Sequence, residues 1–389
     1  MPKTIAITPS WYWPTGVPRV AGVPPFSVYD LCVSRGARDR AGLPALVAGN
    51  TRFSTTDLKD EIDRLAPAIA ARAGQSRRVV IAGDPTLDTV LMLLSSLAAG
   101  LHVRVAPPGA NLESVAREFG ASLSLQGVGD VEPVPGSPPP PLPSDQLTTP
   151  AVTIDGREGP VNHSHRSLLA AALSMATFFD AAPQRPWMAS LPLSRWEGLA
   201  SVLIPLYLGA PLVLAPQNAD ADTVVETIVR EGVGYAFTEL DDAAALTRDA
   251  KKAVKDARRI LNAFLLSTPG MFDPDARRRV SKAFECPALT VYGMPETGPI
   301  FASHQSWYID ESIGIPISNA HVVPADPRTG QPIQALWELV ESAEVTVWTP
   351  SLMAGYEGAQ HPERFAEDRY RTGMIASSDA NGMIYLLGG

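Results

Sequence analysis

The feature that most constrains the fold is a long alternation of short apolar segments with amphipathic ones. Between residues 44 and 292, segments of strand length alternate with segments whose apolar residues recur at helical spacing. The clearest series is 78–82, 87–99 and 103–106, which predicts strand, helix and strand. Such alternation is typical of parallel sheets that are covered by helices on both faces. We therefore predict an α/β fold with mostly parallel sheets.

The predicted segments group into three subdomains and one linker. We expect a first α/β subdomain over 26–135, a proline-rich linker over 136–150 and a second α/β subdomain over 151–310. From residue 314 onward, helical spacing gives way to short β segments and turns, which predicts a smaller β-rich, barrel-like subdomain over 311–389. The linker contains a run of four prolines, which favours extended polyproline backbone at the surface.

The composition excludes several classes of protein. The formal net charge of −9 argues against a nucleic-acid partner or an anionic membrane surface. The longest apolar run, near 90–101, is shorter than the roughly 20 residues of a transmembrane helix, so we interpret it as a buried helix. With only two cysteines, Cys32 and Cys286, a disulfide framework is excluded and a reduced, cytoplasmic location is expected.

Eight segments resemble, in order, the motifs of one superfamily. The most informative are Val-Asn-His-Ser-His-Arg-Ser-Leu at 161–168, Leu-Pro-Leu-Ser-Arg-Trp-Glu-Gly at 191–198 and Val-Tyr-Gly-Met-Pro-Glu-Thr-Gly at 291–298. The others lie at 52–58, 97–103, 312–316, 350–356 and 371–373. Together they resemble the superfamily of acyl-CoA ligases, adenylation domains of non-ribosomal peptide synthetases, and luciferases. The resemblance covers essentially the whole chain and matches the large N-terminal domain of that superfamily.

The resemblance implies a two-step reaction on one scaffold. A carboxylate attacks ATP to give an acyl-adenylate and pyrophosphate, and a thiol of CoA or of a carrier protein then displaces AMP. A small mobile C-terminal domain rotates between the two steps. The sequence ends at 385–389, which resembles the segment before that domain's hinge, and a truncated form of a longer protein is the favoured interpretation.

The strongest departure from the superfamily lies in its phosphate-binding loop. Family members carry a loop rich in Ser, Thr and Gly, with a Lys, whose N–H groups and charge hold the ATP phosphates. Here the stretch 151–160 reads Ala-Val-Thr-Ile-Asp-Gly-Arg-Glu-Gly-Pro. Asp155 and Glu158 bring negative charge that costs roughly 1–4 kcal/mol each against a nearby phosphate, and Arg157 is a single compensating charge. We interpret this as loss of triphosphate binding; the alternative is a divergent loop that still works.

Three further departures weaken the expected binding of the nucleotide. Pro295 replaces the threonine that follows Tyr-Gly-x in the family signature, which removes a hydroxyl donor to the adenylate phosphate. Met374 replaces the aspartate after Arg-Thr-Gly that holds the ribose hydroxyls. Val291 stands where many members have an amide.

The resemblance nevertheless implies a retained site for an acyl group already joined to AMP. Tyr292 would stack on adenine, Glu296 stands at the position of the family's metal-binding carboxylate, and Arg195 could pair with the adenylate phosphate or an acyl carbonyl. The expected adenylate-binding residues are Thr268, Gly270, Met271, Val291, Tyr292, Gly293, Met294 and Pro295. The expected acyl pocket, largely apolar, comprises Trp196, Leu199, Gly298, Pro299 and Ile300. Each of these residues also has a structural alternative: Tyr292 as core, Gly270 as a turn, Glu296 as a strand end and Arg195 as a surface residue.

The His-Ser-His segment has two interpretations. On an extended segment His163 and His165 would lie on one face, so a shared metal is compatible with the spacing. No third ligand lies nearby in sequence, and we therefore expect packing or capping roles, with Ser164 as a helix N-cap rather than a nucleophile.

Four functions remain open at this point. The favoured hypothesis is an enzyme that takes acyl-AMP with a bulky apolar acyl group from a partner adenylating ligase and transfers the acyl group to CoA or a carrier-protein thiol. It would resemble the non-adenylating type of acyl-CoA ligase found in platensimycin and platencin biosynthesis, use no ATP and have a doubtful need for Mg²⁺. The alternatives are a complete ATP-dependent ligase, a nucleotide-free acyltransferase and a non-catalytic scaffold.

Overall fold

The computed structural model describes residues 13–388 except for 133–137, 183, 251, 269–271, 334–339, 359 and 367. The helices are α1 (Arg35–Asp39), α2 (Thr55–Ala73), α3 (Leu87–Ala98), α4 (Leu112–Phe119), α5 (His165–Phe179), α6 (Trp196–Leu208), α7 (Ala221–Glu231), α8 (Leu240–Asp249), α9 (Ala253–Ala257) and α10 (Pro274–Phe284). The strands are β1 (Pro44–Ala48), β2 (Thr51–Ser54), β3 (Arg78–Ile81), β4 (His102–Val105), β5 (Leu123–Leu125), β6 (Pro150–Ile154), β7 (Val161–Ser164), β8 (Trp187–Ala189), β9 (Leu212–Leu214), β10 (Tyr235–Glu239), β11 (Ala263–Ser267), β12 (Ala288–Met294), β13 (Gly298–Ala302), β14 (Ile315–Pro316), β15 (His321–Ala325), β16 (Val340–Trp348), β17 (Gly355–Tyr356), β18 (Phe365–Ala366), β19 (Arg369–Ser378) and β20 (Ile384–Gly388).

A nine-stranded sheet forms the larger half of the molecule. Its order is β14-β13-β12-β11-β10-β8-β9-β1-β2, with parallel pairing from β12 to β1 and antiparallel strands at both edges. Its parallel strands are buried on both faces and are rich in Leu, Val, Phe and Ala, as expected for strands that helices cover on each side. The predicted α/β fold is therefore confirmed.

A six-stranded sheet packs against the first through a shared layer of helices. Its order is β17-β7-β6-β4-β3-β5, and β6, β4, β3 and β5 run parallel. The apolar faces of α2, α3, α5 and α6 meet both sheets in one continuous core, while α7 to α10 cover the outer face of the larger sheet and α4 covers part of the outer face of the smaller one. The carboxyl ends of the parallel strands of the larger sheet lie where ligands bind in open α/β sheets.

The sheets do not follow the predicted subdomain limits. β1 and β2 precede residue 135 but belong to the larger sheet, where β1 pairs with β9 and β2 pairs with β1, whereas β6 and β7, which begin at residues 150 and 161, extend the smaller sheet beside β4. The chain therefore crosses between the sheets more often than the sequence suggested. Local apolar periodicity identifies a strand but contains no information about its partner, which is why the limits at 135 and 151 were misplaced. Part of the predicted linker, 136–137, lies outside the described residues; the remainder, 138–149, is mostly exposed and contains no helix or strand.

The predicted β-rich subdomain is confirmed as a separate antiparallel sheet. Its order is β15-β16-β19-β18, and β20 pairs with the other side of β19. The strand β19 alternates strictly between buried and half-buried residues, as a strand with one face on a core should. No helix within the described residues is long and apolar enough to cross a membrane.

One predicted helix is divided in the structure. The apolar spacing over 243–255 predicts a single helix, but α8 ends at Asp249 and α9 begins at Ala253. Ala250 ends α8 with φ −111° and ψ 38° and is fully buried. The buried residues Leu246, Ala250 and Val254 keep a spacing of four through the interruption, so the apolar pattern alone does not show it.

The start of α6 depends on a glycine that approaches another backbone segment. A β-carbon on Gly198 would lie 1.9 Å from the carbonyl oxygen of Pro192, which belongs to the turn that leads into the helix. The Pro192 oxygen belongs to the backbone, so it could not move aside as the end of a flexible side chain could. This contact fixes the orientation in which residues 195–199 leave the sheet.

We expect Gly198→Ala to destabilise the protein by about 3 kcal/mol, because the added methyl group overlaps a backbone oxygen in a packed core. Urea unfolding followed by circular dichroism measures the loss. Gly129→Ala is the matched control, since a β-carbon there meets nothing within 4 Å, and its midpoint should stay within error of the unmodified protein. Equal midpoints for both variants would contradict the close approach.

Candidate active site

The antiparallel hairpin of β12 and β13 contains the signature segment 291–298. Tyr292 is half-buried and pairs with Phe301, and the register shifts between Tyr292 and Gly293. A β-carbon on Gly293 would lie 2.1 Å from the carbonyl oxygen of Gly298, and Gly298 itself has φ +65°, so both glycines are needed for the tight turn. Met294 and Pro295 are half-buried on this turn.

The neighbouring strand β11 ends beside this hairpin. Ser267 is abreast of Val291 in the parallel ladder, which brings Thr268 level with Tyr292. Thr268 is buried, and its hydroxyl oxygen has no hydrogen-bond partner among the described residues. Gly270 and Met271, which were expected to form the opposite wall of the adenine site, lie outside the described residues.

Three of the predicted site residues are buried in or beside the apolar core. Val291 is 1% exposed and Ile300 is fully buried, and both belong to the main hydrophobic cluster. Pro299 is buried and opposes Gly293 across the hairpin. Val291 therefore contributes apolar packing, as alternate residues of a strand point to opposite faces of the sheet.

Glu296 occupies a buried position at the tip of the hairpin. Its side chain is 1% exposed, Oε1 accepts a hydrogen bond of 3.3 Å from the hydroxyl of Tyr356, and Tyr356 contacts the hydroxyl of Tyr370 at 2.8 Å. The second carboxylate oxygen, Oε2, has no partner among the described residues. Burial raises the pKa of Glu296, and hydrogen bonds from Tyr356 and the backbone of Arg157 act in the opposite direction.

The loop that corresponds to the family's phosphate loop is a short hairpin turn. Residues 155–160 connect β6 to β7, which pair antiparallel from Ile154 and Val161 outward. A β-carbon on Gly156 would lie 2.4 Å from the side chain of Val161, 2.7 Å from the carbonyl oxygen of Gly159 and 3.3 Å from Oε1 of Glu296. The turn is therefore folded tightly onto itself and directly against the Glu296 carboxylate.

Both acidic side chains of this turn pair with cations of the protein. Asp155 forms an ion pair with Arg104, a buried arginine of β4. Glu158 forms an ion pair with Arg364 and lies 3.9 Å from Nδ1 of His361, both from the segment before β18. Because each carboxylate already neutralises a nearby cation, the turn offers little free positive charge to a polyphosphate.

Arg157 differs from these residues. Its side chain is exposed and forms no ion pair with any described carboxylate. Its charge acts on Glu296 and on Tyr292: burial raises the pKa of Tyr292, and Arg157 opposes that shift. Arg157 thus carries a positive charge near enough to Tyr292 and Glu296 to act on both.

The His-Ser-His segment has packing and capping contacts. The side chain of Ser164 accepts a hydrogen bond of 3.1 Å from the backbone N–H of Ser167 at the start of α5. His163 contacts the carbonyl oxygen of Pro295 through Nε2 at 2.7 Å, and His165 accepts from the backbone N–H of Val28 at 3.2 Å. Burial lowers the pKa of each histidine to about 4, so both are neutral at physiological pH. Among the described residues, no group of three or more His, Cys, Asp or Glu side chains could hold a metal ion.

A small cavity lies between α5, α6 and the turn of the hairpin. The predicted pocket residues Trp196, Leu199 and Gly298 line it together with Leu168, Ala171 and Leu203. Its volume of ≈ 20 Å³ is room for roughly one water molecule. Pro299 and Ile300, which were also expected in the acyl pocket, are buried and do not line this cavity.

Arg195, the residue before Trp196, is partly buried and belongs to a network of charged groups. Its guanidinium donates to Glu197 at 2.9 and 3.4 Å and to the hydroxyl of Ser267 at 3.1 Å, and it forms an ion pair with Glu239. Burial acts to lower the pKa of Arg195, but hydrogen bonds and charges from Glu197 and Glu239 raise it. Arg195 is therefore held by two carboxylates at the carboxyl ends of β10 and β11.

A family model described as "AMP-binding enzyme" matches residues 156–357, slightly more than half of the chain. The chain belongs to the AMP-binding enzyme family. The matched region contains residues 156–160 of the turn between β6 and β7, the signature segment 291–298, the network around Arg195, and Tyr356.

Known proteins that resemble this family member are distant in sequence but close in fold. The non-ribosomal peptide synthetase CmlP of Streptomyces venezuelae is 22% identical over 370 residues, which are 85% of this chain and 37% of CmlP. The chain thus spans a little over a third of the length of that relative. Crystal structures of CmiS6 and of the long-chain-fatty-acid-CoA ligase FadD1 from Archaeoglobus fulgidus superpose with TM-scores of 0.79 and 0.80 at 20% and 14% identity. The match covers 96% of this chain in both cases, and 99% of CmiS6 and 86% of FadD1.

Sequence reasoning missed several residues of this site. Arg104, Arg364, Tyr356, Glu197 and Glu239 all contact the predicted residues. For Arg104 a signal existed, because an arginine inside the apolar strand His-Val-Arg-Val requires a buried partner. Glu197 and Tyr356 lie within the quoted segments 191–198 and 350–356, but the resemblance assigned them no role. Glu239 and Arg364 have no comparable signal in the sequence.

We expect Glu296→Gln to stabilise the protein by about 1 kcal/mol at pH 8, because it removes a buried charge whose second oxygen is unpaired. The raised pKa of Glu296 means that the folded state disfavours the ionised form, so this penalty is present above the folded pKa and disappears as the pH falls below the usual carboxyl value. The gain should therefore shrink at pH 4.

Thermal unfolding of both proteins at pH 8 and pH 4 measures this difference. Glu226→Gln, at an exposed position of α7, is the control and should show no such gain. An equal loss of stability in Glu296→Gln at both pH values would show that the ionised carboxylate does not destabilise the folded protein.

Proposed function

We propose that this chain is an acyl-CoA ligase-type enzyme that binds a preformed acyl-adenylate and transfers its acyl group to a thiol without an adenylation step of its own. Membership of the AMP-binding enzyme family supports a nucleotide-linked acyl substrate in general terms. The observation that carries the finer proposal is the turn 155–160, whose carboxylates pair with Arg104 and Arg364 and whose backbone lies against Glu296.

This arrangement supports the proposal that the site does not use ATP. A triphosphate at the turn would meet Asp155, Glu158 and Glu296, and two of the nearby cations are already neutralised by the turn itself. At close range each like-charge contact costs roughly 1–4 kcal/mol at effective dielectric constants between about 80 and 20. Glu296 alone is a poor magnesium site, because Mg²⁺ binds through one or two carboxylates together with substrate phosphates. The proposal assigns no bound triphosphate whose oxygens would complete such a magnesium site.

Binding one phosphate requires less positive charge than binding a triphosphate, and the remaining residues meet that requirement better. Arg157 would face the single phosphate of an acyl-adenylate, Tyr292 would lie against the adenine and the hairpin turn would exclude water from the anhydride. The thiol sulfur then forms a bond to the acyl carbon, the bond from that carbon to the phosphate oxygen breaks, and AMP leaves as the thiol loses its proton. AMP is a good leaving group, so positioning is the main contribution that the protein must make.

We propose CoA as the acceptor, with a carrier-protein thiol as the alternative. Neighbours in fold include the long-chain-fatty-acid-CoA ligase FadD1 from Archaeoglobus fulgidus, whereas the relative CmlP is a non-ribosomal peptide synthetase. A separate adenylating ligase would supply the acyl-AMP. A cytoplasmic location, as in the biosynthesis of natural products such as antibiotics, would provide both that ligase and CoA.

A complete ATP-dependent ligase is the second candidate. The observation that favours it is Oε2 of Glu296, a buried carboxylate oxygen without a partner among the described residues, which is the kind of atom that accepts a cation. This candidate requires the two ion pairs of the turn to open.

We expect purified protein to form acyl-CoA from acyl-AMP and CoA in the presence of EDTA and without ATP. A panel of free acids with ATP and Mg²⁺ should give no pyrophosphate exchange above background. Chromatography of the thioester and exchange of labelled pyrophosphate are the measurements. Exchange with any acid at a rate comparable to thioester formation would instead establish the ATP-dependent ligase.

We expect Arg157→Gln to weaken AMP binding about tenfold, equivalent to about 1.4 kcal/mol, because it removes the cation whose charge acts on Tyr292 and Glu296. Calorimetric titration with AMP gives the affinity. Arg259→Gln removes the same charge from an exposed position after α9 and should leave the affinity unchanged. Equal affinities in both variants would remove Arg157 from the site.

A further inference from the structure

A run of prolines on the surface has no part in the proposed chemistry. This proline run, residues 138–143, reads Pro-Pro-Pro-Pro-Leu-Pro and begins the stretch 138–149, which contains no helix or strand. Each proline fixes its own φ at about −65°, and it also disfavours helical backbone in the residue before it. The run is therefore restricted to the polyproline II conformation, which has three residues per turn and no internal hydrogen bonds.

The burial of the proline run follows the same period of three. Pro139 and Leu142, which are three residues apart, are half-buried. The other four residues of the run are exposed: Pro138, Pro140, Pro141 and Pro143. In a helix with three residues per turn, residues three apart lie along one edge. One edge of the run therefore faces the protein, and the two outward edges, 138/141 and 140/143, carry two prolines each.

The inward edge is anchored just after α3. A β-carbon on Gly100 would lie 2.8 Å from a methyl carbon of Leu142, so Leu142 packs directly onto that glycine. Gly100 has φ +65°, a conformation that favours glycine, and this glycine leaves the space that Leu142 fills. Beyond the run, Leu147 is buried, and its carbonyl oxygen accepts a hydrogen bond of 3.0 Å from the backbone N–H of Arg166 in α5. The run is thus held against the protein at Leu142 and again just past its end.

A cation lies beside the anchored edge. The side chain of Arg77 donates through Nη2 to the carbonyl oxygens of Ala99 and Gly100, at 2.8 and 3.1 Å. The same nitrogen would lie 3.3 Å from a β-carbon on Gly100, the position that Leu142 also contacts. Arg77 is exposed. The surface therefore combines outward-facing proline rings with one neighbouring positive charge.

We propose that the proline run is a docking site for a partner protein that has an aromatic-lined groove with a carboxylate beside it. Aromatic side chains form the slots into which proline rings pack, and the N–H of Trp or the O–H of Tyr donates to the carbonyl oxygens of the run. The carboxylate of the partner pairs with Arg77. Because the run is extended and anchored before the partner arrives, docking requires little loss of conformational entropy.

Two small domains with such grooves, an SH3 domain and a WW domain, serve as probes. Each is labelled with ¹⁵N and titrated with the intact protein, and nuclear magnetic resonance follows its chemical shifts. We expect saturable shifts confined to the aromatic groove of at least one probe. Pro140→Ala together with Pro143→Ala should weaken this binding about tenfold, because one outward edge loses both of its rings.

Pro139→Ala is the matched control, since it removes a proline of the same run whose ring faces the protein. It should change the affinity less than about twofold, which is under about 0.4 kcal/mol. Arg77→Gln should weaken binding at low salt and have little effect at high salt, because salt screens exposed charges. Circular dichroism checks that each variant is folded.

Three results would overturn the docking site. The first is absence of binding to both probes, and the second is unchanged affinity in the variant that lacks Pro140 and Pro143. The third is an equal loss in Pro139→Ala, which would mean that the outward edges are not what the groove recognises. A free peptide of residues 138–143 that binds a probe to which the intact protein does not bind also contradicts the proposal, because the outward edges would then be inaccessible in the folded chain.

Discussion

The pairing of Asp155 with Arg104 and of Glu158 with Arg364 is the constraint on which the site depends. These ion pairs join the turn 155–160 to β4 on one side and to the segment before β18 on the other. A turn that is held at two points and packed against Glu296 has a fixed shape. Arg104 and Arg364 are the cations that a phosphate would need in this region, but Asp155 and Glu158 already pair with them.

The signature hairpin of β12 and β13 does not depend on these ion pairs. The hairpin of β12 and β13 is built by backbone pairing and by two glycines in close contact, and neither depends on the charge of the turn. His163 joins that hairpin to the start of α5 through the carbonyl of Pro295. On the proposed function, a change in the phosphate loop therefore removes the adenylation step without disturbing the elements that would hold an adenylate. Loops tolerate such change because the scaffold beneath them carries most of the stability.

The sequence predicted the elements well and their arrangement only in part. Apolar periodicity located strands such as Arg78–Ile81 and helices such as Leu87–Ala98 because that signal is local. It could not show that β1 joins β9, a pairing across more than 160 residues, since strand partners depend on the whole topology. For the site, the resemblance identified the signature hairpin, but Val291 proved to be core and Arg195 proved to be neutralised by Glu197 and Glu239. Those contacts connect residues that are distant in sequence, and no local pattern announces them.

The two charged regions of the site differ in how their charges are balanced. In the turn 155–160, Asp155 and Glu158 each pair with one arginine, while the exposed Arg157 pairs with no described carboxylate. At the carboxyl end of β10 and the start of α6, Glu239 and Glu197 both pair with Arg195. On the proposed function, the paired carboxylates of the turn oppose a polyphosphate, and Arg157 is the cation that a single phosphate would meet. Electrostatic complementarity of this kind acts on the choice of ligand more than on raw affinity, because it penalises the wrong charge.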